Sequence, residues 1–179
     1  MRKKSSAKRT LKKQKYNIIL LLIIVIVAVF LIGLLSSIIK NRKLYKYDNE
    51  IVVLKDNGSE IDSISLKELR KNQISNLDLT LNNQSKKTSI EGVSLEKIIN
   101  SLNLDTTKYT KLETTNKNGG RNSIAIDKAL EPDRVYLVYK INEKPVHDYN
   151  KSSGVFAIID TQSKDSSDWI LDVKEINLK

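Results

Sequence analysis

The chain of 179 residues carries 31 Lys and Arg against 21 Asp and Glu, a formal charge of +10, and has no cysteine. The missing thiols exclude disulfides, thiolate metal sites and cysteine nucleophiles. The charge does not make a nucleic-acid binder, because residues 1–46 hold 12 of the cations and no acid, leaving 19 cations against 21 anions beyond them. A mixed surface near neutrality offers no electrostatic footprint for DNA or RNA.

Residues 1–17 form a basic tail with eight Lys and Arg, and residues 18–39 (IILLLIIVIVAVFLIGLLSSII) follow without a charge. As a helix rising about 1.5 Å per residue, that stretch is roughly 33 Å long, enough to span a hydrocarbon core about 30 Å thick. Its Ile and Val content does not argue for a strand, since in lipid a lone segment satisfies its own backbone only as a helix. It exceeds a signal-peptide core of about 7–15 residues, and no small-x-small cleavage pattern follows. The stretch predicts an uncleaved transmembrane helix. Four cations (Lys40, Arg42, Lys43 and Lys46) follow it against eight before it. The positive-inside rule then places the N-terminus in the cytoplasm and the remainder outside the cell. The expected organisation is a cytoplasmic tail over 1–17, a single membrane span over 18–39, a linker over 40–49 and an extracellular domain over 50–179.

Within the domain, residues 51–54 (IVVL) predict a strand, and Asn57-Gly58 a tight hairpin turn into a second strand at Ile61 and Ile64. Ser65 and Glu68 have the spacing of a capping box and predict a short helix to about Lys71. Residues 73–81 (QISNLDLTL) alternate, placing Ile74, Leu77, Leu79 and Leu81 on one buried face given a small irregularity near Ser75. Ser94 predicts an N-cap for a helix whose inner face is Leu95, Ile98, Ile99 and Leu102. Strands are expected over 109–115 and 123–126, with the turn NKNGG between them, then one helical turn over 127–130. Three core strands close the chain over 135–141 (VYLVYKI), 154–159 (GVFAII) and 169–178 (WILDVKEINL). Many strands, few helices and no regular β-α-β alternation predict an α+β, mainly β domain.

Spacing alone does not identify an enzyme. His147 next to Asp148 has no nucleophile in any recognisable elbow, and a lone His in a polar loop reads as solvent-exposed. Asp160, Asp165, Asp168 and Asp172 lack the spacing and glycine of a calcium loop and read as a solvated face. The Gly-containing segments 90–93 and 117–121 read as turns rather than phosphate loops. The tyrosines and Trp169 read as packing residues. Tyr45 and Tyr47 either sit at the headgroup level or begin the domain.

Five segments in order resemble elements of the molybdopterin-binding domain of sulfite-oxidase-type oxidoreductases. Residues 91–99 (EGVSLEKII) are similar to that family's G-V-P-L-x-x-L-L element, and residues 123–130 (SIAIDKAL) to its following strand and turn. Residues 136–145 (YLVYKINEKP) resemble its l-L-A-Y-x-x-N-G-x-P strand. Residues 154–160 and 169–178 stand where it has its last two strands. The resemblance covers about residues 51–179 and implies a mainly β, α+β fold with mixed sheets. It also implies a departure. The family ligates molybdenum through a cysteine before the first of these elements, where this chain reads LTLNNQSKK over 79–87. The family's His-Gly and Arg that hold the pterin phosphate fall here on Asn150-Lys151 and Phe156. Asn and Ser cannot supply soft thiolate ligation, and a phosphate would lose its bidentate cation.

The expectation is therefore a degenerate member: the scaffold kept, no cofactor, no metal and no catalytic residue, acting as a binding module at the cell surface. Its partners would be the membrane and a protein or cell-wall component, with no nucleic acid. A vestigial cleft is expected near Asn82, Asn83, Arg121, His147 and Asn150. The competing readings are a divergent molybdopterin-dependent oxidoreductase and an accessory subunit of a membrane complex.

Overall fold

The computed structural model describes residues 19–35, 44–72, 74–82, 87–150 and 152–179. The chain divides into two units, residues 1–42 and 43–179. In the first, residues 19–35 form helix α1, and every one of them is exposed. These 17 residues rise only about 25 Å, and among the described residues no helix is long and apolar enough to cross a membrane. Residues 18 and 36–39 of the expected span lie outside the described residues.

In the second unit burial begins early. Leu44, in the stretch expected to link, is fully buried, and Tyr47 packs against the same core. Strands β1 (Ile51–Asp56) and β2 (Ser59–Ser65) pair as a hairpin. Its turn places Asn57 at φ +48° and Gly58 at φ +92°, the left-handed pair that matches the twist of the flanking strands. Helix α2 (Leu66–Leu69) starts on the expected capping box: Ser65 Oγ accepts from the Glu68 N–H, and the Glu68 carboxylate accepts from the Ser65 N–H. Strand β3 (Ser75–Leu79) turns Leu77 and Leu79 inward, but Ile74 lies before it and is exposed.

Strand β4 (Thr88–Ser94) runs straight into helix α3 (Leu95–Ser101), which buries Leu95, Ile98 and Ile99 as its spacing requires. Ser94 stands at its N-cap position, as expected, but its side chain makes no cap hydrogen bond. That residue is still in the β4 ladder opposite Tyr136, and its buried hydroxyl has no hydrogen-bond partner among the described residues. Strands β5 (Lys111–Asn116) and β6 (Arg121–Ala125) form a second hairpin, followed by helix α4 (Ile126–Leu130). Strand β7 (Val135–Ile141) turns through Asn142 and Glu143, both left-handed, into β8 (Lys144–Pro145) and helix α5 (Val146–Tyr149). Strand β9 (Ala157–Asp160) completes the second of the expected core strands, starting three residues late.

The last predicted strand is two. β10 (Ile170–Leu171) and β11 (Val173–Leu178) are separated by Asp172 at φ +56°. They belong to different sheets. One sheet has the order β2-β1-β11-β5-β6, with β11 parallel to β1 and its other pairings antiparallel. The other has the order β10-β9-β7-β4-β3, with β8 beside β7 and every pairing antiparallel.

The larger core lies between the sheets, drawing on Val52, Leu54, Leu112 and Ile176 from one and Val93, Leu137 and Tyr139 from the other. A smaller core covers the second sheet's far face with Tyr136, Val138, Ile159 and Trp169. β7 contributes to both, which is why residues 135–139 read as an apolar run rather than an alternation. The unit is an α+β, mainly β fold with one mixed sheet and a few short helices.

Candidate ligand-binding cleft

Four segments distant in sequence, 47–50, 117–118, 147–155 and 172–174, meet at one end of the second unit. The β7–β8 turn carries α5, whose Val146 is buried in the smaller core, and so fixes His147 on the helix's next position. His147 is not in a free polar loop. It is half-buried, with its ring 5.5 Å from that of Tyr47 at a tilt of 55°. Asp172 provides the second anchor. Its N–H donates to the Ser153 carbonyl at 2.7 Å, and its Oδ2 accepts from the Lys117 N–H at 3.3 Å. Gly154, at φ +61°, passes so close that a Cβ there would lie 2.1 Å from Asp172 Oδ1. Another segment precedes β1, where Glu50 accepts from Lys174 Nζ at 2.8 Å.

These groups enclose a cleft of about 370 Å³, within the usual range for a small ligand. Tyr47, His147 and Val155 give it apolar surface; Lys117, Asn118 and Ser152 line its rim. Glu50, Asp172, Lys174 and Lys117 set its charge, two acids against two bases. Lys46 Nζ lies over the Tyr47 ring at 4.6 Å, and behind the cleft the Oγ of fully buried Ser153 has no hydrogen-bond partner among the described residues. A buried hydroxyl left unpaired costs about 1–3 kcal/mol.

Of the residues expected to mark a cleft, His147 lines this one, beside Lys117, Asn118 and Ser152. Arg121 is exposed on the edge strand β6 opposite Thr115. The Asn150 carboxamide turns back to accept from the Ser152 N–H at 3.2 Å and Oγ at 2.9 Å. Asn82 donates its N–H to the Lys164 carbonyl, and Asn83 lies outside the described residues. Tyr47, Glu50, Asp172 and Lys174 were not singled out from sequence as site residues. Only Asp172 left a signal, as the residue where three successive apolar positions end and alternation resumes.

A second hollow of about 340 Å³ lies between β6 and β9–β10, but two of its three charged side chains, Lys128 and Asp160, are already paired with each other. Asp160 there receives Lys128 at 3.0 Å and Arg134 at 3.4 Å, and Arg134 also pairs with Glu131. Burial pushes the Asp160 carboxyl up, yet the Gln162 N–H and these cations outweigh it and hold the group below its ordinary range.

The cleft does not fit a molybdopterin. The chain has no thiolate to bind molybdenum. Among the described residues, no three His, Asp or Glu converge on a metal site. Phe156 is fully buried in the larger core and so is turned away from any anion. Two carboxylates in the cleft offset its two ammonium groups, which disfavours a dianionic phosphate.

The class this architecture defines is a two-sheet α+β fold. Among solved structures it is similar to the crystal structure of the sulfane dehydrogenase SoxCD from Paracoccus pantotrophus, at a TM-score of 0.55 and 9% identity. The match covers 74% of this chain and 38% of that one, so this chain spans well under half of its neighbour's length. At that identity the likeness is one of fold alone. No protein-family model matches the chain, and no curated protein matches it in sequence.

Proposed function

We propose that the chain is a single-pass membrane protein, with residues 1–17 cytoplasmic and the 43–179 unit outside the cell. In this reading the outer unit has a molybdopterin-oxidoreductase-like scaffold of the sulfite-oxidase type, works without the cofactor, and binds a ligand or partner non-enzymatically at the Tyr47–His147 cleft. The observation that carries it is the cleft itself: formed by the fold, aromatic on one side, charge-balanced, and without a thiolate or a cluster of metal ligands among the described residues. The anchor is supported by the uncharged run over 18–39 and by α1, whose apolar side chains are exposed all round and have lipid as their natural solvent.

Elemental analysis and visible absorption of the purified full chain test the cofactor-free reading. The expected result is no stoichiometric molybdenum; a one-to-one content sinks the reading and returns the oxidoreductase. Topology is tested separately, and the cysteine-free chain makes the assay clean. Ser167→Cys should react with a membrane-impermeant maleimide on intact cells, and Ser6→Cys only after permeabilisation. The reverse pattern refutes the orientation.

A further inference from the structure

We propose that the cleft takes a neutral, hydroxyl-rich ligand, one or two sugar rings of a surface glycan, rather than an anion or a metal. This assignment rests on the reading of the unit as a binding module. The first argument is charge. Lys117 and Lys174 are matched by Glu50 and Asp172, and Lys174 is already held by Glu50 at 2.8 Å. Lys46, whose Nζ lies 4.6 Å over the Tyr47 ring, is offset in turn by Asp148, so the site has no net field to draw in a phosphate or carboxylate.

The second argument is the hydrogen-bond inventory. Ammonium groups only donate, carboxylates only accept, and a neutral imidazole and a carboxamide do both. Lys117, Asp172, His147 and Asn118 therefore present donors and acceptors side by side. Each sugar hydroxyl both donates and accepts, so a vicinal pair can satisfy neighbours of opposite kind.

The third argument is shape. The tilted Tyr47 and His147 rings supply an apolar face with polar edges, suited to the C–H face of a pyranose beside its hydroxyls. A volume of about 370 Å³ admits one or two rings and no long chain.

The test uses the full chain in a sugar-free zwitterionic detergent, titrated with glucose, maltose, N-acetylglucosamine and its β-1,4 dimer. Inorganic phosphate and alanyl-alanine serve as charged comparators, with saturation-transfer NMR and calorimetry as readouts. At least one saccharide should bind with a Kd on the order of 1 mM or tighter, without displacement by phosphate. Lys117→Ala and Asn118→Ala, in an exposed turn where folding is not at risk, should each weaken it roughly fivefold, the scale of one lost hydrogen bond. His147→Gln should do the same, with an unchanged melting curve as the control. No saturable saccharide signal, displacement by phosphate, or binding indifferent to all three substitutions overturns the assignment. Molybdenum in the purified chain would remove the binding-module reading itself. A surface protein crosslinked through Asn118→Cys, with no saccharide bound, would remove only the glycan.

Discussion

Replacing Gly92 by alanine tests the packing of the two central strands. Gly92 is fully buried in β4 beside β7, where the ladder shifts register between Glu91 and Gly92. A Cβ built there would lie 2.4 Å from the Leu137 carbonyl oxygen, 2.9 Å from Val138 Cα and 3.0 Å from Leu137 C. All three are backbone atoms of a strand packed on both faces, so no side chain can swing aside to make room. Overpacking a core costs about 1–3 kcal/mol, and an obstacle made of central-strand backbone puts this case near 3 kcal/mol. For a unit of this size that is a fall in Tm of roughly 10 °C. The single Trp169, buried in the smaller core, reports the transition through its emission as the full chain is heated in detergent. Gly119→Ala is the control: its φ is +79° but no atom of the described residues lies within 4 Å of the added Cβ, so only backbone strain of about 1 kcal/mol is expected. A Gly92→Ala chain melting within about 2 °C of the parent would refute the close β4–β7 approach.

Tyr139→Phe removes the hydroxyl that donates to Glu91 Oε1 at 2.8 Å, while Lys140 keeps both Glu91 oxygens at 2.7 and 2.9 Å. Thermal melts should show a loss of about 1.5 kcal/mol, and an unchanged melt would mean that the hydroxyl contributes nothing. Glu113 is held down to about 2 by Lys111, first, and then Lys179. Its folded value lies below its unfolded one, so its stabilisation is complete above about pH 4.5 and disappears as pH falls through about 2. Denaturant titrations across that window should show a shallower acid loss for Glu113→Gln; identical slopes would exclude the site. Deleting residues 173–179 removes β11, the strand between β1 and β5, and should abolish the cooperative Trp169 transition altogether. A retained sharp transition would show that the first sheet closes without it.

Much of the local structure was legible because its causes are local. Asn57-Gly58 makes a left-handed hairpin turn, Ser65 and Glu68 cap a helix reciprocally, and VYLVY carries no alternation because β7 is covered on both faces. The inner face of α3 followed from helical spacing. Where the reading went astray, a distant partner had overridden a local preference. Ser94 stands at the N-cap of α3, but while it pairs with Tyr136 in the β4 ladder its side chain makes no cap hydrogen bond. His147 looks like a loop residue until Tyr47, a hundred positions earlier, is folded against it.

By itself the sequence determined the charge-free run over 18–39, the near-neutral remainder, the absence of thiol chemistry and most of the strands, since each depends on composition or short-range period. The tertiary structure alone decided that residues 169–178 divide at Asp172 between two sheets, that the last strand lies parallel to the first, and that a cleft opens there. The Glu50–Lys174 pair across that cleft joins residues 124 positions apart. Period and propensity act over a few residues and name no partner at that distance. The pairing follows from how two sheets share one core.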